Sequence, residues 1–168
     1  MNKFISQSWL DYFVPLWCFP KTKPLSIPEL SEALSQKLAK NCREERFLRF
    51  DLWWRFNDRI RQMWYWFTMT PEMKWAKLLK NEGEKRLWHE NLVSLFELLD
   101  DSDARDRLIQ AEIRREQGEF DRAMAILDGI TEYSLEKNTD RRTCQCIRQC
   151  CENSDPFVTS SWVYEIHF

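Results

Sequence analysis

From Ser26 onward the apolar residues return every three or four positions, and short polar clusters separate one run from the next. That spacing places them along one face of a helix. Ser26, Pro28 and Glu29 form a helix start: Ser26 caps, Glu29 reaches back, and Pro28 stands where no N–H is needed. Leu30, Ala33, Leu34 and Leu38 then make one apolar stripe, which predicts a helix to about Asn41. A second run, Cys42 to Phe67, carries Phe47, Phe50, Trp53, Trp54, Asn57, Ile60, Trp64 and Phe67 near the helical period. Arg43, Arg46, Arg49, Arg55, Arg59 and Arg61 are interleaved, so this is the longest predicted helix, aromatic on more than one face. Thr70, Pro71 and Glu72 restart a helix through about Asn81, with Gly83 as an expected left-handed stop. Leu87, Trp88, Leu92, Leu95, Phe96 and Leu99 define the next helix. Asp100, Asp101, Ser102 and Asp103 break it and suit the N-terminus of the helix after.

The remaining pattern predicts helices over 104–117 and 121–133, with Gly118 between them, and a last helix beginning at Asn138. Beyond Pro156 the period changes. Trp162, Tyr164, Ile166 and Phe168 alternate with Val163, Glu165 and His167, which predicts an extended tail. The expected fold is mostly α: one irregular bundle of six or seven helices over 1–168, with an αα-hairpin and an extended tail. Its parts are an aromatic segment (1–25), aromatic-rich helices (26–103), the hairpin (104–133), and a Cys-containing helix with the tail (134–168).

Composition narrows the function. The chain has 168 residues, a size at which roughly 68–70% of the unfolded surface is buried without help from a metal or disulfide. A formal charge of −2 with 31% charged residues excludes a strongly basic nucleic-acid binder and an acidic disordered tail. Three glycines leave no Gly-rich nucleotide loop. No apolar run is long enough for a transmembrane helix, and Asp11 and Pro15 interrupt the greasy N-terminal segment, which therefore does not read as a signal peptide. A cytoplasmic setting with reduced thiols follows as the expectation. Charge is uneven: Glu97–Asp128 holds ten acids and five bases, whereas Asn41–Gln62 holds six bases and four acids.

Ala111, Gly118, Phe120 and Ala123 stand at the spacings of a tetratricopeptide-repeat turn, and residues 104–133 resemble a single hairpin of that family. Gly supplies the cap, small residues let two helices approach, and Phe120 plugs the join. Where the family has large apolar residues on its first helix, this chain has Arg107, Gln110 and Arg114, and no second copy follows at the repeat period. The resemblance implies a helix surface offered to another protein. The stretch from Trp53 to Arg59, taken with the hairpin, is also similar to small bacterial proteins.

Three constellations are candidates for function. Trp53, Trp54, Arg55, Asp58, Arg59 and Trp64 combine the residue types that dominate protein interfaces. Asp51, Arg55 and Asp58 fall on one helix face, where the plainer reading is a chain of helix ion pairs. Asp51 and Asp58 lie about 10.5 Å apart along the axis, too far for a tight carboxylate pair. Asp100, Asp101 and Asp103, within the acidic stretch, are candidates to face a basic partner. Cys144, Cys146, Cys150, Cys151 and His167 are the candidates for a zinc or redox module, with buried free thiols as the plainer reading. No nucleophile–base signature is present, so a catalytic reading would have to rest on a pocket around Asp58 or His89. Arg among aromatics in 43–66 suits single-stranded nucleic acid, but Glu44, Glu45, Asp51 and Asp58 would repel its backbone. The resulting expectation is a non-catalytic, cofactor-free protein-binding module. Its most concrete form is a cytoplasmic protein that neutralises or escorts a cognate partner, such as an immunity protein to a bacterial toxin, the partner being a basic toxin domain or enzyme.

Overall fold

The computed structural model describes residues 24–61, 68–131, 135 and 138–157. Trp64, His167, the aromatic segment before residue 24 and the alternating tail after Phe157 lie outside the described residues. The described residues form seven helices: α1 (Ile27–Ser35), α2 (Cys42–Arg61), α3 (Pro71–Leu78), α4 (Glu82–Glu97), α5 (Ala104–Glu116), α6 (Phe120–Asp128) and α7 (Asn138–Glu152). The chain is an all-α bundle. α1 packs on α2, α2 on α3 and α4, and α4 on α5, while α5, α6 and α7 pack on one another.

Local chemistry sets the ends. The Ser26 N–H donates to Glu29 at 2.7 Å, which closes the expected capping box. α1 stops six residues short of the expected end, because Lys37 takes φ +52° and the N–H groups of Lys37 and Leu38 turn back to the carbonyls of Leu34 and Ala33. α5 ends in the same way at Gly118 (φ +77°), and α7 at Ser154 (φ +52°). Gly83 is not a stop. It sits in the first turn of α4, which Asn81 caps by accepting the Glu84 N–H at 2.9 Å. The Asn81 cap thus starts a helix where the sequence predicts a stop at Gly83.

Two apolar clusters share one central helix. The first joins Leu52, Trp53, Phe56 and Ile60 of α2 to Leu92 and Leu95 of α4 and to Ile109 and Ile113 of α5. The second joins Leu108 and Ala111 of α5 to Ala123 and Leu127 of α6 and Ile147 and Cys151 of α7. Ala111 and Ala123 are both fully buried, so small residues do let α5 and α6 approach, as the hairpin pattern requires. Because α5 faces both clusters, nine of its thirteen residues are buried, including Asp106, Gln110, Glu112, Arg115 and Glu116. Each of these polar groups has a partner, as burial demands. Asp106 pairs with Arg46, Gln110 with Asp101, Glu112 with Arg115, and Glu116 with Trp53 and Asn57.

Candidate partner-binding cleft

The expected hot spot on α2 is largely inside the protein. Trp53 has no exposed surface, and its ring stacks on Trp54 at 5.4 Å while Phe50 meets both edge-on. Trp54 is half-buried against the second cluster. Phe50, Trp53, Trp54 and Phe56 are thus used in packing the two clusters. Among the described rings of α2 only Phe47 is mostly exposed, at 60%. Arg55 bridges Asp51 at 3.1 Å and Asp58 at 3.3 Å, the helix ion-pair arrangement. Burial pushes the Asp51 carboxyl up, Arg55 opposes the rise, and Asp58 adds to it. Arg59 leaves the helix surface entirely: it donates to the Leu78 carbonyl at 2.8 Å and grips both oxygens of Glu84.

The acidic loop also works for the fold. Asp103 caps α5 by accepting the N–H groups of Arg105 and Asp106 at 2.8 and 3.0 Å. Asp100 closes a turn with Ser102, whose side-chain and backbone donors hold its carboxyl below the usual range. Asp101 accepts from Gln110 at 2.6 Å. Farther along, Glu119 receives Arg114 and Arg122, and Asp128 receives Arg148. Glu119 and Asp128 are thus paired with arginines, while Asp100, Asp101 and Asp103 serve turn and cap hydrogen bonds and stay exposed.

The cysteines divide by depth. Cys150 and Cys151 are buried, and Cys144 and Cys146 half-buried. Burial pushes the Cys150 thiol up to about 11 and raises Cys144 and Cys151 as well. Protonated thiols are poor ligands and poor nucleophiles. Among the described residues no group of three or more His, Cys, Asp and Glu side chains is placed to hold a metal ion.

The concave feature lies elsewhere, where four stretches of chain meet. α3 begins at Thr70, whose hydroxyl accepts the Met73 N–H, and Pro71 opens its first turn. This start sets Lys74 and Trp75 opposite Trp88 of α4, and the two indoles meet edge-on at 5.8 Å. The Gly118 turn brings Gln117, Glu119 and Phe120 to one rim. The left-handed stop at Ser154 brings Phe157 to the other, with its ring 5.0 Å from Trp75 and under the Lys74 ammonium at 5.1 Å. Between them lies an open cleft of about 670 Å³. His89 stands exposed at its edge, and Glu116 reaches its floor.

Behind the floor sits a closed polar cluster. Arg115, 1% exposed, donates to both oxygens of Glu112 at 2.6 and 2.7 Å. Its remaining arm donates to the carbonyls of Asp155 and Phe157, and so holds the cleft's far wall. Glu116 receives Trp53 at 2.8 Å and Asn57 at 3.0 Å. Its carboxyl is pushed up to about 8, first by burial and then by the charge of Glu112. The guanidinium hydrogen-bonds Glu112, while burial raises the Glu116 carboxyl.

Apart from His89, no cleft residue carries a site signal in the local sequence pattern, because the walls come from stretches as distant as Pro71 and Phe157. Of the residues weighed for chemistry, His89 lies at the cleft and Asp58 does not. No described helix is long and apolar enough to cross a membrane. No family model matches the chain, no curated protein matches its sequence, and no solved structure matches its fold.

Proposed function

We propose that the chain is a non-catalytic protein-binding module that receives a segment of a partner protein in the cleft between α3, α4, the α5–α6 turn and residues 153–157. The observation that carries this reading is the wall itself: the half-buried rings of Trp75 and Phe120 line an open hollow, backed by the buried Trp88 and Phe157 and held on its far side by Arg115. Aromatic rings give large contact area at little entropic cost, and a pre-held wall reduces what binding must order. In its concrete form the protein works in the cytoplasm and neutralises or escorts a cognate partner, as an immunity protein does for a toxin.

The test is quantitative co-purification from the native host with the wild-type chain and with His89→Glu and Phe120→Ser, each checked for unchanged helicity. A stoichiometric partner retained by the wild type and lost by both variants is the expected result. A partner held equally by all three places the binding surface elsewhere.

A further inference from the structure

The last described residue stands in the cleft wall. Phe157 is buried, with its ring 5.0 Å from Trp75. Its carbonyl accepts from the Arg115 guanidinium at 2.9 Å, so the point from which the following residues depart is fixed in that wall. Those residues, 158–168, lie outside the described residues, but their composition is plain. They hold Val158, Trp162, Val163, Tyr164, Ile166 and Phe168, with Glu165 as the one acid and neither lysine nor arginine.

The cleft has the matching chemistry. Half-buried Trp75 and Phe120 and exposed Pro71 line the hollow. The charged side chains of its lining are mixed in sign: Lys74 against Glu116, Glu119 and Asp155, with His89 at the edge. Glu119 already receives Arg114 and Arg122. Such a lining favours an occupant with large rings and little net charge over a strongly acidic or basic one. Tethering then decides among occupants of that class. Trp162 follows Phe157 by five residues and lies at most about 18 Å from it. A tether that short gives an effective concentration of about a millimolar or more. The aromatic segment before residue 24 has no such advantage. It leads into α1, and no described lining residue comes from α1 or from α2, on which α1 packs.

We infer that residues 158–168 occupy the cleft of their own chain, bringing apolar side chains from Trp162 onward against Trp75 and Phe120, and that a partner segment must displace them. The occupancy follows from the tether and the matching chemistry. The displacement rests on the protein-binding reading of the cleft. A tethered segment that fills nine clefts in ten weakens a partner's apparent affinity about tenfold.

The experiment uses the full chain with the photo-crosslinker benzoylphenylalanine in place of Trp162 and, separately, in place of Ile166. Irradiation should give monomeric adducts to the peptides around Pro71–Trp75 and Gln117–Phe120, in a yield that does not change on dilution. Phe120→Ser, with helicity retained, should lower that yield. Adducts confined to other parts of the chain, or no adduct from either position, would overturn the inference. So would adducts formed only between two molecules, which assign the cleft to the tail of a second copy. A second arm reads the displacement. Trp162→Ser with Phe168→Ser should raise the apparent affinity for a co-purifying partner about tenfold. Cleft adducts with unchanged partner affinity would overturn the displacement and place the partner on another face. A partner lost on His89→Glu and Phe120→Ser without any cleft adduct would remove the occupancy and leave the protein-binding reading standing.

Discussion

The indole N–H of Trp53 donates to Oε2 of Glu116 at 2.8 Å, joining two enclosed side chains of α2 and α5. With Asn57 on the other oxygen, the carboxyl is fully partnered yet its acidity is weakened, because burial outweighs the two donors and Arg115. The sign of its pH effect follows. The folded carboxyl titrates near 8 against an ordinary value of 4.5, so the folded state keeps a proton that the unfolded chain gives up. Stability from this group is therefore full below about 4.5 and falls as pH rises toward 8. Melting temperatures of wild type and Glu116→Gln should diverge over that window, the wild type losing ground as pH rises and the amide variant changing less. Parallel curves would show that Glu116 titrates normally.

Arg115 carries two duties at once, neutralising Glu112 and holding the carbonyls of Asp155 and Phe157. Arg115→Met leaves buried carboxyls without their cation, which costs about 3–5 kcal/mol. It also frees the cleft's far wall. Hydrogen exchange at the Phe157 amide, bonded to Asp155 Oδ1, should accelerate more than exchange in α4. Equal acceleration throughout would mean that Arg115 supports global stability alone.

Lys37 and Ser154 both sit at φ +52°, where a side chain strains against its own backbone. Both are exposed. Lys37→Gly should therefore stabilise by about 0.5–1 kcal/mol, the backbone relief exceeding the added freedom of the unfolded chain. Gly118→Ala should do the reverse by a similar amount, for conformation alone: an added Cβ there would meet nothing within 4 Å. Gly129→Ala has a different origin. Its φ is negative, but a Cβ would collide with the Arg107 guanidinium that donates to the carbonyls of Gly129 and Ile126. Urea midpoints of the three variants separate strain from collision.

These contrasts show what the residue pattern could and could not reveal. The period of the apolar residues marks every helix, since one buried face leaves that trace on α1, α4 and α6 alike. The Ser26–Glu29 capping box and the Asp103 cap are local, within three residues, and so are readable. The stop at Lys37 is not, because nothing in a lysine announces a positive φ. Glu112, Arg115 and Glu116 look like an exposed helix face in the chain. They are buried because α5 lies between two clusters, a fact of packing that no neighbour in sequence encodes. The same holds for Trp53: an interface-like residue and a core residue have identical composition, and only the position of α2 between α4 and α5 decides. The cleft was least legible, since Lys74, Trp88, Gly118 and Phe157 meet only after α3, α4, α5 and α7 have found their places.

Arg59 and Glu84 test how the cleft's near wall is held. Arg59 reaches from α2 to both carboxylate oxygens of Glu84 at 2.6 and 2.9 Å and to the Leu78 carbonyl, while Glu84 also accepts the Lys80 N–H at 2.8 Å. These contacts fasten the α3–α4 corner, and hence Trp75 and Trp88, to α2. The Arg59 hydrogen bond is the main cause that holds the Glu84 carboxyl down at about 2. A depressed pKa means stability that is present above the ordinary 4.5 and is lost as pH falls toward 2. Both side chains are 20% exposed, so solvent screening keeps the pair near the low end for charge-assisted bonds, at about 1 kcal/mol. Glu84→Gln should lower stability by that amount at neutral pH and match the wild type near pH 2, in a window opposite to that of Glu116. If acid narrows no gap between the two proteins, the Arg59 contact is not what anchors the corner.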